Sequence, residues 1–231
     1  MKTIGLIGGM SWESTQIYYQ IINQRINEAL GKLHSAKMLI DSVDFEELEA
    51  CQSGDDWERA GYILGDSARR LEKAGADFIL ICTNTMHKVA PQVASQTSLP
   101  LIHIADATAA RLREAGISQV GLLGTKYTMN EEFYKDRLHD AGIKTIIPSV
   151  PEMDKVNSII FHELCLGLIK DESREKYSTI IDNLKKKGAQ GVILGCTEIG
   201  MLIRQKDASI PVFDTTVIHA EKAAELALES N

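Results

Sequence analysis

Lys73-Ala74-Gly75-Ala76-Asp77-Phe78-Ile79-Leu80-Ile81 reads against Lys186-Lys187-Gly188-Ala189-Gln190-Gly191-Val192-Ile193-Leu194, 113 residues further on (73 to 186). Each stretch closes a helical period on a glycine and opens a short apolar run. Two more matches follow in the same order. Ile4-Gly5-Leu6-Ile7-Gly8 matches Val120-Gly121-Leu122-Leu123-Gly124, and Ser98-Leu99-Pro100-Leu101 matches Ser209-Ile210-Pro211-Val212, at offsets of 116 (4 to 120) and 111 (98 to 209). One match between αβ units is chance; three in order at nearly one offset predict two similar lobes.

The rest of the chain agrees. Strands are expected at Thr3–Ile7, Lys37–Val43, Asp77–Cys82, Leu101–Ile104, Gln119–Leu123, Lys144–Ile147, Gly191–Leu194 and Val212–Phe213. Helical periods lie between them: Ile17, Ile21, Ile22, Ile26 and Leu30; Ala60, Leu64, Ala68 and Leu71, stopped by Gly75; Val156, Ile160, Leu164 and Leu168; then Ile180, Ile181 and Leu184 before Gly188. Strictly alternating strand and helix predicts an α/β fold of two pseudo-symmetric lobes, each a mostly parallel sheet flanked by helices. Pro100 and Pro211 are read as the crossings, giving lobes of 1–99 plus 212–231 and 100–211, with the last helix (Thr216–Glu229) returning to the first lobe. The site is expected in the cleft between them, at the carboxyl ends of the strands.

Composition narrows the function. With 44% apolar residues the 231-residue chain can bury a sizeable core, and 32 acids against 25 bases give a net charge of −7 that disfavours nucleic acid or an anionic membrane as partner. No apolar run is long enough to span a bilayer, and the opening Met1–Ser14 lacks a signal-peptide pattern, so a soluble, cytoplasmic protein is expected. Cys51, Cys82, Cys165 and Cys196 form no CxxC pair and read as free thiols. His162-Glu163 begins a metal-binding HExxH motif, but the second histidine is missing, so no metal is expected. The glycines after the first strand do not make GxGxxG, which argues against a dinucleotide.

Extending the longest match sets Ile81-Cys82-Thr83-Asn84-Thr85 against Leu194-Gly195-Cys196-Thr197-Glu198, so that Thr83 pairs with Cys196 and Cys82 with Gly195. The pair Thr83–His87 (TNTMH) and Gly195–Glu198 (GCTE), with Gly8-Gly9-Met10 at the start, resembles the aspartate/glutamate racemase superfamily over essentially the whole chain. The resemblance implies a cofactor-independent amino-acid racemase with two α/β lobes, commonly a homodimer. In typical members a cysteine at each strand end works on one face of the α-carbon.

The chemistry is sound on its own terms. Inverting a stereocentre through deprotonation needs an acid and a base on opposite faces, and a thiol with a reference pKa of about 8.5 suits both tasks. The α-carboxylate needs donors instead of a cofactor. Asn84, Thr85 and Thr197 offer amide and hydroxyl groups, joined by backbone N–H groups of the helix starts that follow.

This sequence departs from the C-N-T form of the first motif, because Thr83 stands before Asn84 and the cysteine comes one residue earlier. Adjacent strand residues face opposite ways, so Cys82 is expected in the packing unless a bulge turns it back. The expected site is therefore lopsided: Cys196 as base, Thr83 on the opposite face, and L-to-D turnover favoured, since a threonine hydroxyl is too weak an acid to serve as the base. Glu198 meets the substrate amino group or is simply a carboxylate at a helix start. His87 orients the strand end, tunes a thiol or only packs; His219 is a surface or packing residue.

Side-chain recognition is thinner. Val43-Asp44-Phe45-Glu46-Glu47-Leu48-Glu49-Ala50-Cys51-Gln52 holds no Arg or Lys, leaving Gln52, Ser11 and Thr125 as hydrogen-bonding groups and Met10 as an apolar contact. Glu163 lines the cleft or lies on a solvated helix face. The expected substrates are aspartate and glutamate, or a broader range reaching neutral polar amino acids such as homoserine. Two other functions stay open: another one-thiol reaction on the same scaffold, such as a decarboxylation, and a non-catalytic amino-acid-binding protein.

Overall fold

Each of the eight expected runs is a strand in the computed structural model, which describes residues 1–229. Strand ends move by one or two residues, as hydrogen bonding decides boundaries that apolar runs only approximate. The chain divides into two units, one of residues 1–104 with the chain from His219, the other Ala105–Ile218.

The first unit carries β1 (Ile4–Gly8), α1 (Trp12–Leu30), β2 (Met38–Ser42), α2 (Phe45–Ser53), α3 (Trp57–Lys73), β3 (Phe78–Ile81), α4 (Ala90–Ala94) and β4 (Leu101–Ile102). Its sheet is parallel, in the order β2-β1-β3-β4. β1 and β3 are buried along their whole length, and period-two alternation splits their side chains between two cores. Ile4, Leu6, Phe78, Leu80 and Cys82 meet Tyr18, Ile22 and Ile26 of α1, while Ile7, Ile79 and Ile81 meet Ala60, Leu64, Ala68 and Leu71 of α3.

The second unit carries α5 (Ile104–Glu114), whose first residue closes the other unit, then β5 (Gln119–Gly124), α6 (Lys126–Asn130), α7 (Glu132–Asp140) and β6 (Lys144–Ile146). It continues through α8 (Val150–His162), α9 (Asp171–Lys186), β7 (Gly191–Gly195), α10 (Ile199–Leu202) and β8 (Val212–Asp214). The sheet order is β6-β5-β7-β8, the same topology again. Register repeats as well. Ile4 faces Phe78 and Met38 in one sheet as Val120 faces Gly191 and Thr145 in the other; Ile79 faces Leu101 as Val192 faces Val212. The glycines that stop α3 and α9 match too, Gly75 and Gly188 having φ of 93° and 101°, values that an L side chain resists.

The last helix, α11 (Thr215–Leu228), places Ala220, Ala223, Ala224 and Ala227 on the core of the first unit. Its repeat counterpart α5 packs in the second unit, where Tyr134 donates to Thr108 at 3.3 Å and Arg137 pairs with Asp106. Each helix that follows a fourth strand thus completes the other unit. Residues 230 and 231, assigned with 212–231 to the first lobe, lie outside the described residues, and β8 itself belongs to the second unit through its pairing with β7. Pro100 and Pro211 precede the edge strands β4 and β8 rather than standing at the crossings, a position where a missing N–H costs little.

Two helical expectations need correction. In α1 the buried line is Tyr18, Ile22 and Ile26, with Ile17 and Ile21 at its border and Leu30 43% exposed. The period through Val156, Ile160, Leu164 and Leu168 overruns: α8 stops at His162, a 3-10 turn takes Leu164–Leu166, and Leu168 is 47% exposed. Glu163, with φ of −130° and ψ of −65°, has already left the helical region and ends α8, and Gly167 (φ 72°) closes the 3-10 turn before the fourth apolar position. No helix among the described residues is long and apolar enough to cross a membrane.

Candidate functional site

In the first unit the candidate residues leave the carboxyl edge of a parallel sheet. Met10 and Ser11 follow β1, Gln52 sits on α2 after β2, and Thr83, Asn84 and Thr85 follow β3. Met10, Leu48, Cys51 and Met86 share one apolar cluster, which gathers these three segments. Ser11 caps α1, its hydroxyl accepting from the Ser14 N–H at 3.3 Å and its carbonyl accepting from the Thr15 hydroxyl at 3.0 Å. Thr15 in turn accepts from the Gly9 N–H at 2.9 Å. Met10, Ser11, Gln52, Asn84 and Thr85 are buried, whereas Thr83 is half-buried.

Cys82 continues the strand ladder, its N–H donating to the Ile7 carbonyl at 2.9 Å, so no bulge rotates it. Its side chain is fully buried on the face shared with Phe78 and Leu80, and burial pushes the thiol far up, away from the reactive thiolate. The Ser14 hydroxyl donates to its carbonyl at 3.3 Å. The turn after Thr83 is a 3-10 helix, Thr85–Val89, rather than the start of a long helix. His87 on this turn is buried: its Nδ1 meets the Thr83 carbonyl at 2.7 Å, and its Nε2 accepts from the Ile104 N–H at 3.2 Å.

In the second unit Thr125 caps α6, accepting from the Thr128 N–H at 3.3 Å. Gly195 has no room for a side chain, since a Cβ there would lie 2.9 Å from the Leu123 carbonyl oxygen. Cys196 follows and is 9% exposed. Its Sγ donates to Glu198 Oε2 at 2.9 Å, and the Thr197 hydroxyl donates to the same oxygen at 2.7 Å. Burial raises the Cys196 thiol well above its ordinary range, and the Glu198 carboxylate and nearby Cys165 add to the rise. The resting sulfur therefore keeps its proton and aims it at a carboxylate. Glu198 stands at the N-cap of the four-residue α10 that follows, without a side-chain capping bond to it. Among the described residues no three His, Cys, Asp or Glu side chains are arranged to hold a metal ion.

Glu163 ends α8 and is held by Ser173 at 2.7 Å and Lys170 at 3.3 Å; with Lys155, Ser158 and Lys176 it borders a surface cavity of this unit. His219 is a packing residue and fully buried, not a surface one. Its Nε2 faces the Ile102 carbonyl at 2.8 Å, and its Nδ1 meets the Tyr18 hydroxyl at 2.8 Å. Asp214, a half-buried carboxylate at the end of β8, is absent from the sequence motifs; it accepts from the Thr216 and Val217 N–H groups. An Asp-Thr-Thr run ahead of a helical period was the available signal.

These two strand-end motifs, on sheets of one topology and one register, define a duplicated α/β protein with a thiol–carboxylate pair in its second half. A family description of Asp/Glu/Hydantoin racemase matches residues 7–223, and the chain belongs to that family. Among solved structures it is similar to a candidate Asp/Glu racemase from Yersinia pestis, with 52% identity, TM-score 0.94, and coverage of 99% of this chain and 100% of the other. It is also similar to an aspartate racemase homologue from Pyrococcus horikoshii OT3, with 38% identity, TM-score 0.87 and the same coverage. The broad specificity amino-acid racemase RacX of Bacillus subtilis (strain 168) is 25% identical over 226 residues, covering 94% of this chain and 95% of the relative.

Proposed function

We propose that this chain is a cofactor-independent amino-acid racemase in which Cys196 takes the α-proton of L-substrates and Thr83 serves the opposite face. The observation that carries the reading is the 2.9 Å hydrogen bond from Cys196 Sγ to Glu198 Oε2. A buried thiol with its proton already directed at a carboxylate can become a thiolate by one short transfer, at the moment substrate excludes water.

The thiolate then takes the Cα hydrogen, and the bonding pair flows into the α-carboxylate. Asn84, Thr85 and Thr197 would hold that carboxylate and the charge that gathers on it. Thr83, a half-buried residue, passes its hydroxyl proton to the far face and regains one from water, while Glu198 releases to water the proton it took from Cys196, so that every group ends as it began. Since a threonine cannot readily act in reverse, L-to-D turnover is favoured.

Acidic amino acids, or a wider set including neutral polar ones, are the proposed substrates. Gln52 is a neutral, buried donor suited to either, and the relatives described as an aspartate racemase homologue and a broad specificity racemase support the two ends of that range. A homodimer in the cytoplasm completes the proposal, its subunit number readable by light scattering. Incubating each enantiomer in deuterated water tests the chemistry. Deuterium should enter Cα of L-substrates much faster than of D-substrates; equal rates would refute the lopsided site. Binding with no exchange at all would favour a binding protein, and loss of carbon dioxide from a malonate would favour a decarboxylase.

A further inference from the structure

We infer that His87 is a positioning residue for Thr83, an imidazole that fixes the strand-end carbonyl so that the hydroxyl beside it stays on line for proton delivery. The inference rests on the racemase reading and assigns the part of the site that the reading leaves without a support.

The Thr83 carbonyl lies where β3 gives way to a 3-10 turn, and the first backbone bond of that turn runs from the His87 N–H to Asn84, at 3.0 Å, not to Thr83. His87 Nδ1 stands 2.7 Å from the Thr83 carbonyl oxygen. Because His87 Nε2 accepts from the Ile104 N–H at 3.2 Å, the ring proton must be on Nδ1, and the imidazole donates to Thr83. Both ring nitrogens are thereby committed, which leaves none to bind a metal. The buried ring also packs edge-on to two others, 4.4 Å from the centre of His103 and 5.8 Å from that of His219.

The second unit shows that this imidazole is not a requirement of the fold. There the carbonyl of Cys196, the repeat counterpart of Thr83, accepts from the backbone N–H of Ile199 at 3.1 Å. The counterpart of His87 is Gly200, and the space beside it is taken by the Asp214 carboxylate, whose oxygen would lie 2.2 Å from a Cβ added there. Same topology, same register, yet no histidine. Two copies of one architecture differ at this place, and the copy that presents a hydroxyl is the one that carries the clamp. A thiolate is large, polarisable and tolerant of small displacement, whereas a hydroxyl must hold a short, directed hydrogen bond to pass a proton.

Two substitutions separate the ring's two bonds. His87→Asn places an amide N–H near the Nδ1 position and keeps the donor to Thr83; His87→Gln reaches the Nε2 position and keeps only the acceptor for Ile104. The readout is the ratio of D-enantiomer formed to deuterium washed into recovered L-substrate, since wash-in needs only Cys196 and inversion needs Thr83 as well. His87→Gln should lower that ratio by about tenfold or more with KM little changed, and His87→Asn should hold it within about twofold of the wild type. An unchanged ratio in both variants, or an equal fall in both, would overturn the inference. If either variant fails to fold, nitrogen NMR of the wild-type protein decides: His87 must be the Nδ1–H tautomer, and an Nε2–H signal would overturn it. A wild-type protein that neither exchanges nor inverts any amino acid would instead remove the racemase reading, and this role with it.

Discussion

Tyr18 donates its hydroxyl to Nδ1 of His219 at 2.8 Å, and its repeat counterpart Tyr134 makes the same reach to Thr108 at 3.3 Å. In both units a buried tyrosine on a helix behind the sheet binds the helix supplied from the other half of the chain. The pairing polarises His219: Nδ1 must accept, Nε2 must donate to Ile102, and the ring is neutral.

That neutral ring predicts a pH dependence. Burial lowers the His219 pKa from 6.5 to about 4. Between these values the unfolded chain binds the proton and the folded one does not, so stability is full above pH 6.5 and falls as the pH drops towards 4. The loss should approach about 3 kcal/mol. His219→Gln should be less stable than the wild type near neutrality, and urea denaturation should show the difference shrinking on acidification. A difference that stays constant from neutrality to pH 4 would contradict the assignment.

Cys82→Ala should cost roughly 1–2 kcal/mol in denaturation and leave turnover within about twofold of the wild type, because it removes only a packed sulfur. Loss of α-hydrogen exchange in this variant would identify residue 82 as the reacting thiol and end the role given to Thr83.

Glu198→Gln should move two quantities in opposite directions. Removing the carboxylate lifts one of the influences that raise the Cys196 thiol, so its titration, followed by thiolate absorbance, shifts to lower pH. Turnover should nevertheless fall by about a hundredfold or more, since the thiol proton loses its acceptor. A thiol titration that stays in place would show that burial alone governs the sulfur.

Thr83→Cys should raise the D-to-L rate, because it supplies a second group able to accept an α-proton. Chiral chromatography starting from each enantiomer reads the result, and no gain from the D side would count against the lopsided site.

Gly195→Ala should destabilise by roughly 1–3 kcal/mol, as its Cβ would press on the Leu123 carbonyl, a backbone atom with little freedom to give way. A variant as stable as the wild type would mean that β5 and β7 part more readily than their pairing suggests.

Much of this architecture was legible in the chain because a duplicated parallel sheet writes itself twice. Gly75 with Phe78–Ile81, seen again as Gly188 with Gly191–Leu194, gave strand, stop and register together. The strand-end motifs were visible for the same reason. What the chain could not show were contacts made at a distance. Cys196 and Glu198 are two residues apart, but that the sulfur points at the carboxylate depends on backbone angles after β7. His87 and Ile104, or Tyr18 and His219, are joined only by the fold. The overrun of α8 through Leu168 has a similar origin, since apolar spacing continues past Glu163, where the backbone has already left the helix.

The placement of α11 has a consequence for how the protein is made. Ile4, Leu6, Phe78 and Leu80 leave the ribosome well before the alanines of α11 that complete their cover. The unit begun first is finished second. Until synthesis reaches that closing helix, the part of this face that α1 leaves uncovered stands open to water, a stretch of time in which nascent chains of this protein are most in need of a chaperone.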